Sequence, residues 1–282
     1  MRGWALFAIV LVGCADGGAA DESADSGATA GADARVDSSA DAPLDLDADG
    51  AIDGAPDAPA DVATYSCPTT AFGGPYTLVP TVGAVSDRPA AAHPDLNVKI
   101  RGFVPTGGTL GLVDVGGPTD DKAPRLYTLL QDAGTPTFAA NFKVNDWDWS
   151  AMKVAGPIAD PPVTLTAYAT TEGQAIRLPR SGYQIAPGLQ ARALFLDADS
   201  ITLKYTSEDN VVYGYTIHVL DLCVDPALAK AYGDAVAKGR TSLPALAAGQ
   251  VFAKARGASV RVTIRDTGSF MDPRVKKDWY QP

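Results

Sequence analysis

The sequence has few of the residues on which common enzyme and cofactor chemistries depend. Of its 282 residues, only two are histidine and three are cysteine. It has no run of Lys and Arg that would neutralise a phosphate backbone, which argues against nucleic acid as a partner. No glycine-rich loop follows a strand pattern and opens a helix pattern, as a phosphate-binding loop would. We therefore predict that the protein works without a cofactor.

The apolar run at residues 4–13 is too short to cross a bilayer as a helix, but it is typical of a secretory signal. Arg2 precedes this run. The tetrapeptide Leu11–Cys14 resembles a bacterial lipobox, in which the cysteine thiol receives a diacylglycerol and the signal is cut just before it. We expect residues 1–13 to be a signal peptide and Cys14 to be a lipidated amino terminus that anchors the protein to a membrane. An ordinary signal peptide or an uncleaved anchor is the alternative.

Residues 14–64 consist mainly of Ala, Asp, Gly, Ser and Pro. After Cys14 they carry thirteen acidic residues and one basic residue, a net charge of −12. Because the whole chain is at −10 and Arg2 adds one positive charge, residues 65–282 are at +1. A segment so poor in aromatic and branched apolar residues cannot offset its ordering entropy, and its like charges repel. We predict that it is a disordered, extended linker.

Two cysteines remain if Cys14 carries a lipid. Disulfides form and persist in exported proteins, so we predict a bond between Cys67 and Cys223. Such a bond would close a very long loop and stabilise the fold by about 2–5 kcal/mol. Two buried thiols are the alternative.

Residues 65–282 are mostly strand-like. Apolar and polar residues alternate in six segments, separated by Gly, Pro and Asp: 96–101, 109–115, 163–168, 193–196, 201–205 and 260–265. The Gly-Pro to Pro-Pro stretch at 156–162 is the best internal boundary. The predicted class is therefore mainly β, with two β-rich subdomains at 65–160 and 161–282 and one short helix after the disordered tail.

The pattern predicts that helix just after Cys223. Asp225 is placed to cap it, Pro226 suits its first turn and Gly239 ends it. The residues expected on its apolar face are Leu228, Tyr232 and Val236.

Four segments of the second half follow one another in an informative order. They are the hairpin pattern 172–182, the strand pair 201–219, the Ala-Gly-Gln turn at 246–252, and the strand, turn and Asp-Pro at 262–273. In this order they resemble the β-sheet core of lysostaphin-type zinc endopeptidases, which cut peptide bridges in bacterial cell wall. The resemblance implies an antiparallel sheet domain with a cell-wall connection.

The zinc chemistry of that family does not carry over. The family binds zinc through a His and an Asp four residues apart and the second His of a His-x-His, and an open zinc site needs three protein ligands. Ser259 and Arg261 occupy the His-x-His positions here. His218 alone falls on a family histidine position, which is not a zinc ligand, and His93 has no spaced partner. We predict no metal site and interpret His218 as a hydrogen-bonded sheet residue.

Other catalytic templates are weak in this sequence. Ser181 and Ser207 lack the sharp turn of a nucleophile elbow. Paired carboxylates for glycoside hydrolysis remain open, because Asp and Glu are always present. The candidate pairs are Asp146 with Asp148 and Glu208 with Asp209.

A ligand-binding surface explains the alternating Asp and Trp residues at 146–149 better than a catalytic site does. Trp147 and Trp149 lie on one face of an extended segment, with Asp146 and Asp148 on the other. Rings presented in this way can stack on sugars while the acids accept hydroxyl hydrogen bonds. A Trp pair buried in the sheet is the alternative, because large aromatics are mostly buried.

Two further aromatic groups are ambiguous in the same way. One consists of Tyr205, Tyr213 and Tyr215. The other is the pair at residues 279–280, which we expect to be exposed because the terminal segment is polar and basic.

We therefore predict a lipoprotein of the bacterial cell envelope that acts as a non-catalytic binding module for peptidoglycan, another glycan or a protein partner. Ala15 after Cys14 is not the Asp that retains many lipoproteins at the inner membrane of enteric bacteria, which favours the outer membrane. A hydrolase of cell wall or polysaccharide with a carboxylate site, and a purely structural envelope protein, are the alternatives.

Overall fold

A computed structural model of the protein describes residues 65–83, 88–130 and 134–281. The predicted signal peptide, Cys14 and the linker of residues 14–64 lie outside these residues. In the described ranges, none of the helices has the length and apolar character needed to cross a membrane.

The described residues form strands far more than helices, as predicted. The strands are β1 (Thr77–Pro80), β2 (Phe103–Pro105), β3 (Phe138–Asp148), β4 (Lys153–Pro157), β5 (Leu165–Ala169), β6 (Ala175–Arg177), β7 (Ala191–Leu196), β8 (Ser200–Lys204), β9 (Tyr215–Leu220), β10 (Leu222–Val224), β11 (Ser242–Leu246), β12 (Val251–Ala255), β13 (Ser259–Asp266) and β14 (Ser269–Met271). The α-helices are α1 (Pro226–Ala237) and α2 (Lys276–Trp279), and three short 3-10 helices cover Ala90–Ala92, Val98–Ile100 and Leu126–Thr128.

Eleven of the strands form one antiparallel sheet. Its order is β1-β11-β7-β8-β9-β13-β5-β3-β2, with β14 beside β13 and β4 beside β3. A second sheet has the order β10-β12-β6. The expected boundary at 156–162 falls between β3 and β5, which are hydrogen-bonded neighbours with Phe142 opposite Leu165. The two expected β-rich parts therefore contribute strands to a single sheet, and the stretch 156–162 covers the end of β4 and the connection from β4 to β5.

The two faces of the large sheet differ in chemistry. Alternate apolar residues of the central strands pack with the small sheet in the main hydrophobic cluster, which includes Ile201, Leu203, Ile217, Ile264, Phe252 and Ile176. The intervening positions carry Thr202, Lys204, Thr216, His218, Thr263 and Arg265. A smaller apolar cluster consists of Val98, Val144, Leu165, Leu220 and Phe270. Its Leu220 lies on β9 two residues after His218, and therefore on the same face of the sheet.

Helix α1 and the disulfide hold the start of the described chain to the sheets. The Asp225 side chain caps α1, as predicted, and also accepts hydrogen bonds from the Phe72 amide at 3.0 Å and the Tyr76 hydroxyl at 2.7 Å. Cys67 and Cys223 are joined as a disulfide, as predicted, with Cα atoms 5.2 Å apart. The predicted apolar face of α1 is only partly buried, because Leu228 and Tyr232 are enclosed whereas Val236 is exposed.

Two predicted strands are absent from the structure. Residues 96–101 form a turn and a 3-10 helix, because Arg101 turns inward to meet the Asp95 carboxylate at 2.6 Å and Gly102 takes a left-handed φ of 65°. Residues 109–115 lie between glycines and make only an isolated bridge from Val113 to Val275. Alternation alone was misleading in both segments, since neither finds a neighbouring strand along its length.

The expectation of an exposed carboxyl-terminal aromatic pair is wrong. Trp279 is 2% exposed, and its indole nitrogen donates to the Asp272 carbonyl at 2.8 Å. The Tyr280 and Tyr168 hydroxyl oxygens are 2.6 Å apart. The short helix α2 turns these rings toward the core, so the polar composition of the segment did not predict the position of its aromatics.

Candidate functional site

The hairpin of β3 and β4 carries the two tryptophans predicted to bind a ligand. Asp148 lies opposite Lys153, and Trp147 lies opposite Val154. The Asp148 carboxylate accepts hydrogen bonds from the Ser150 hydroxyl at 2.6 Å and from the Ser150 and Ala151 amides at 2.9 Å. These bonds, led by that of the Ser150 hydroxyl, hold the pKa of Asp148 below its ordinary value. Asp148 therefore shapes the turn, and one of its oxygens is already fully used.

Asp146 is placed differently from Asp148. Its side chain is 68% exposed, and its Oδ1 accepts a hydrogen bond from the Trp147 amide at 2.8 Å. The same oxygen lies 3.4 Å from the Arg101 guanidinium, which is buried. Asp146 is therefore the member of the predicted acid pair with the larger surface open to a ligand.

The two tryptophans contact one another at the protein surface. Their ring centroids are 6.4 Å apart at an interplanar angle of 67°, an edge-to-face arrangement. Trp149 is 45% exposed, whereas Trp147 is half-buried. The Trp147 indole nitrogen is enclosed and has no hydrogen-bond partner among the described residues. Neither ring belongs to the two hydrophobic clusters. Trp147 therefore lies outside the core and packs against Trp149.

Two side chains from a distant segment complete this surface, and sequence reasoning did not place them there. The Arg88 guanidinium carbon lies 5.8 Å from the Trp149 ring centroid, within the range of a cation–π contact. The His93 ring centroid lies 5.6 Å from that of Trp149. Met152 and Val154 are exposed beside them. We call the surface made by Arg88, His93, Trp147, Trp149, Met152 and Val154 the aromatic hairpin.

The second predicted acid pair does not form a catalytic site. Asp209 is buried, and both of its oxygens are held by Arg240, at 3.0 Å from Nε and 2.5 Å from Nη2. Glu208 is only partly buried, but its Oε2 is enclosed without a partner in the described part of the chain. Both Asp209 oxygens are therefore used in a structural ion pair.

A row of polar side chains crosses the large sheet at neighbouring positions of four strands. Register places Arg192 opposite Lys204, Lys204 opposite Thr216, and Thr216 opposite Arg265. We call these four residues the buried cationic row. Lys204 is fully buried, and its amino group has no hydrogen-bond partner within the described ranges. Burial lowers the pKa of Lys204 to about 8, despite the attraction of the Glu208 carboxylate.

The rest of the row is only partly satisfied. Arg192 donates from Nη1 to the Pro80 carbonyl at 2.9 Å, but its Nε and Nη2 are enclosed and unpartnered in the described structure. Burial lowers the pKa of Arg192 as well. Arg265 is better placed, since it meets the Asp95 carboxylate at 2.8 Å. The enclosed atoms have almost no accessible surface, so the row is a packed layer and not a cleft.

His218 is a hydrogen-bonded sheet residue. Its Nδ1 lies 2.8 Å from the Thr202 hydroxyl, which itself donates to the Leu96 carbonyl at 2.5 Å. Because that hydroxyl proton is used, Nδ1 must carry the imidazole proton. Burial and the nearby Arg265 hold the pKa of His218 well below its ordinary value. The ring is therefore neutral and enclosed, which is unsuitable for a solvent-facing base.

The position that the lysostaphin-type resemblance assigns to the second His of the His-x-His holds an arginine that forms an ion pair. Arg261 binds the Asp221 carboxylate through two contacts of 2.5 Å. Across residues 65–83, 88–130 and 134–281, no three His, Cys, Asp or Glu side chains are grouped so that they could hold a metal ion.

Ser181, a serine considered as a nucleophile, donates to the Lys122 carbonyl at 2.7 Å and shapes a loop.

The three tyrosines predicted as an ambiguous group separate in the structure. Tyr205 is buried and donates to the Pro179 carbonyl at 2.8 Å. Tyr213 is exposed, and Tyr215 forms one wall of a small cleft.

In comparisons with known proteins, no family model, curated protein or solved structure matched the chain.

Proposed function

We propose that the protein is a lipid-anchored component of the bacterial envelope, favoured at the outer membrane, whose aromatic hairpin binds peptidoglycan or another glycan without cleaving it. The observation that carries this proposal is the exposed Trp149 ring, held edge-on against Trp147 and flanked by Arg88 and His93. Trp149 shares the hairpin with the exposed Met152 and Val154, and an exposed apolar patch of several residues is typical of a binding site.

The chemistry around the rings suits a sugar. The flat, apolar face of Trp149 can stack on the C–H face of a pyranose, and the exposed Asp146 carboxylate of the same hairpin can accept a hydroxyl hydrogen bond from a polymer that reaches around its edge. The Oδ1 atom of Asp148 cannot take that role, because it already accepts three hydrogen bonds within the turn. The resemblance of residues 162–273 to lysostaphin-type sheets supports peptidoglycan as the first polymer to test.

A lipid on Cys14 would place this surface near the wall. A linker of residues 14–64 that is extended by its own charge would let the folded part reach polymer away from the membrane. The acid pairs considered for hydrolysis support catalysis less well, since Asp148 and Asp209 are engaged in the turn and in the Arg240 ion pair.

The test is retention of the purified full chain on insoluble peptidoglycan and on insoluble polysaccharides. Trp149→Ala should abolish most of the retention, whereas Leu110→Ala, which removes a side chain that is 56% exposed outside the hairpin, should leave it unchanged. Both variants must remain fully folded under the assay conditions, as judged by circular dichroism. Soluble fragments released from the polymer would overturn the non-catalytic assignment, and equal retention of the two variants would overturn the role of the hairpin.

A further inference from the structure

A small cleft with acidic and aromatic walls lies at one end of the large sheet, and none of the motifs predicted it. Its volume is about 370 Å³, and it is lined by Asp120, Tyr183, Thr206, Gly214, Tyr215 and Asp266. Asp266 of β13 and Tyr215 of β9 are direct cross-strand partners. Asp120 and Tyr183 reach the cleft from loops. We call this feature the tyrosine cleft.

The walls of the tyrosine cleft are held in place by hydrogen bonds. The Tyr183 and Tyr215 hydroxyls both donate to Asp120 Oδ2, at 2.8 Å and 3.1 Å. The Lys122 amide donates to Asp120 Oδ1 at 2.8 Å. Trp279 packs edge-on against the Tyr215 ring at 5.9 Å. Because both hydroxyl protons are used within the protein, the tyrosines offer a ligand their ring faces and not their donors.

The electrostatics of the cleft are negative. Burial alone would raise the pKa of Asp120, but its hydrogen bonds from the Lys122 amide and the two tyrosines lower it, so this carboxylate is ionised at neutral pH. Burial together with the charges of Asp266 and Asp120 raises the pKa of Tyr215. Among the ion pairs of the described residues, none includes Asp120 or Asp266.

A cation of the protein itself already approaches this wall. The Lys122 ammonium lies 5.9 Å from the centroid of the Tyr183 ring, at the limit of a cation–π contact. Lys122 is exposed, so its position is not forced by packing. The same ammonium charge acts on the Asp120 carboxylate, whose pKa it helps to lower, so the cleft already has one cation of the protein beside it.

We propose that the tyrosine cleft is a binding site for a small organic ammonium group. The Tyr183 and Tyr215 rings, whose centroids are 6.1 Å apart, would form one wall against the alkyl and ammonium part, and the Asp120 and Asp266 carboxylates would supply the charge. A neutral ligand of the same shape would lack both the cation–π contact and the attraction to the carboxylates, so it should bind more weakly. An amino sugar and a lysine-like amine of a peptide share this chemistry. The inference does not depend on the function of the aromatic hairpin.

The experiment measures binding of n-butylammonium and of neutral n-butanol to the full chain by NMR titration near neutral pH. We expect saturable binding of the amine only, weakened by added salt, because exposed charges are screened. Asp266→Asn should weaken amine binding about tenfold, through loss of one nearby charge. The matched control is Asp114→Asn, an exposed aspartate outside the cleft, and it should change nothing.

Three outcomes would overturn the proposal. They are equal binding of butanol, equal effects of the two aspartate variants, and no saturable binding of the amine. A Tyr215→Phe variant keeps the ring and removes one bond to Asp120, so it should retain amine binding within about threefold if the ring face is what matters. Glucosamine against glucose, and Nα-acetyl-lysine amide against its norleucine counterpart, then identify which amine source the cleft prefers.

Discussion

The carboxyl-terminal segment and the buried cationic row are both enclosed, but the buried polar groups of the segment have hydrogen-bond partners and those of the row are partly without them. In the segment, Arg274 binds the buried Asp272 at 2.7 Å, and the Trp279 indole reaches a carbonyl. In the row, Lys204 is equally buried and its amino group has no partner among the described residues. A buried polar group stabilises only when it is paired, since its hydration is lost in either case. Burial by itself therefore says little about which residues stabilise this protein.

The largest effect should come from the satisfied segment. Trp279→Ala removes a ring that is 2% exposed and leaves a cavity, so the free energy of unfolding should fall by about 3–5 kcal/mol. Urea denaturation of the full chain followed by circular dichroism measures it. A loss below about 1 kcal/mol would mean that the segment is not part of the cooperative unit.

A substitution in the buried cationic row should change the free energy of unfolding in the opposite direction. Lys204→Met replaces an unpaired buried amine by an apolar chain of similar length, and it should raise the free energy of unfolding by about 1–3 kcal/mol at pH 7. Destabilisation by this substitution would show that the amine has a partner in solution. Lys238→Met, at an exposed lysine, is the matched control and should change the free energy of unfolding by less than about 0.5 kcal/mol.

The same lysine makes a prediction about pH. The folded-state pKa of Lys204 is about 8, below its ordinary value of 10.5. Between these two values the unfolded chain binds more protons than the folded one, so stability should rise with pH from about 8 toward 10. Above that range the raised pKa of the buried Tyr168 opposes the rise, because its unfolded form loses a proton first. Unfolding midpoints of the parent and Lys204→Met across this range should converge as pH rises.

The smallest effect on stability should come from the exposed tryptophan. Trp149→Ala removes a ring that is 45% exposed and outside both hydrophobic clusters, so unfolding should change by no more than about 0.5–1 kcal/mol. The comparison with Trp279→Ala then separates a ring kept for stability from one that is not. A loss as large as that of Trp279 would place Trp149 in the core and remove the basis for the proposed binding surface.

Sequence reasoning was most successful where the signal was local. Helix α1 was predicted from Asp225, Pro226 and Gly239, because caps and first-turn prolines act within a few residues. The central strands β5, β7, β8 and β13 overlap predicted segments, since two-residue alternation is visible in each one alone. Residues 96–101 and 109–115 show the limit of this signal, because alternation does not reveal whether a partner strand exists.

The candidate site was predicted only in part, for a related reason. Trp147, Trp149, Asp146 and Asp148 are neighbours in sequence, so their grouping was visible, but the different roles of the two acids depend on the turn and on Arg101. Arg88 and His93 lie more than fifty residues away from Trp149 and meet it only through the fold. The tyrosine cleft joins residues from four separated segments, and among its lining residues only Tyr215 had been singled out from the sequence.

By itself, the sequence determined the β class, the helix with its caps, the Cys67–Cys223 pair and the segment that carries the two surface tryptophans. Only the tertiary structure decided that Trp279 is buried, that Arg192 lies opposite Lys204, and that Asp120 and Asp266 line one cleft. The physical reason is that strand register and chain crossings set which distant residues meet. A period of two residues repeats identically along every strand, so it contains no information about which strand will be the neighbour.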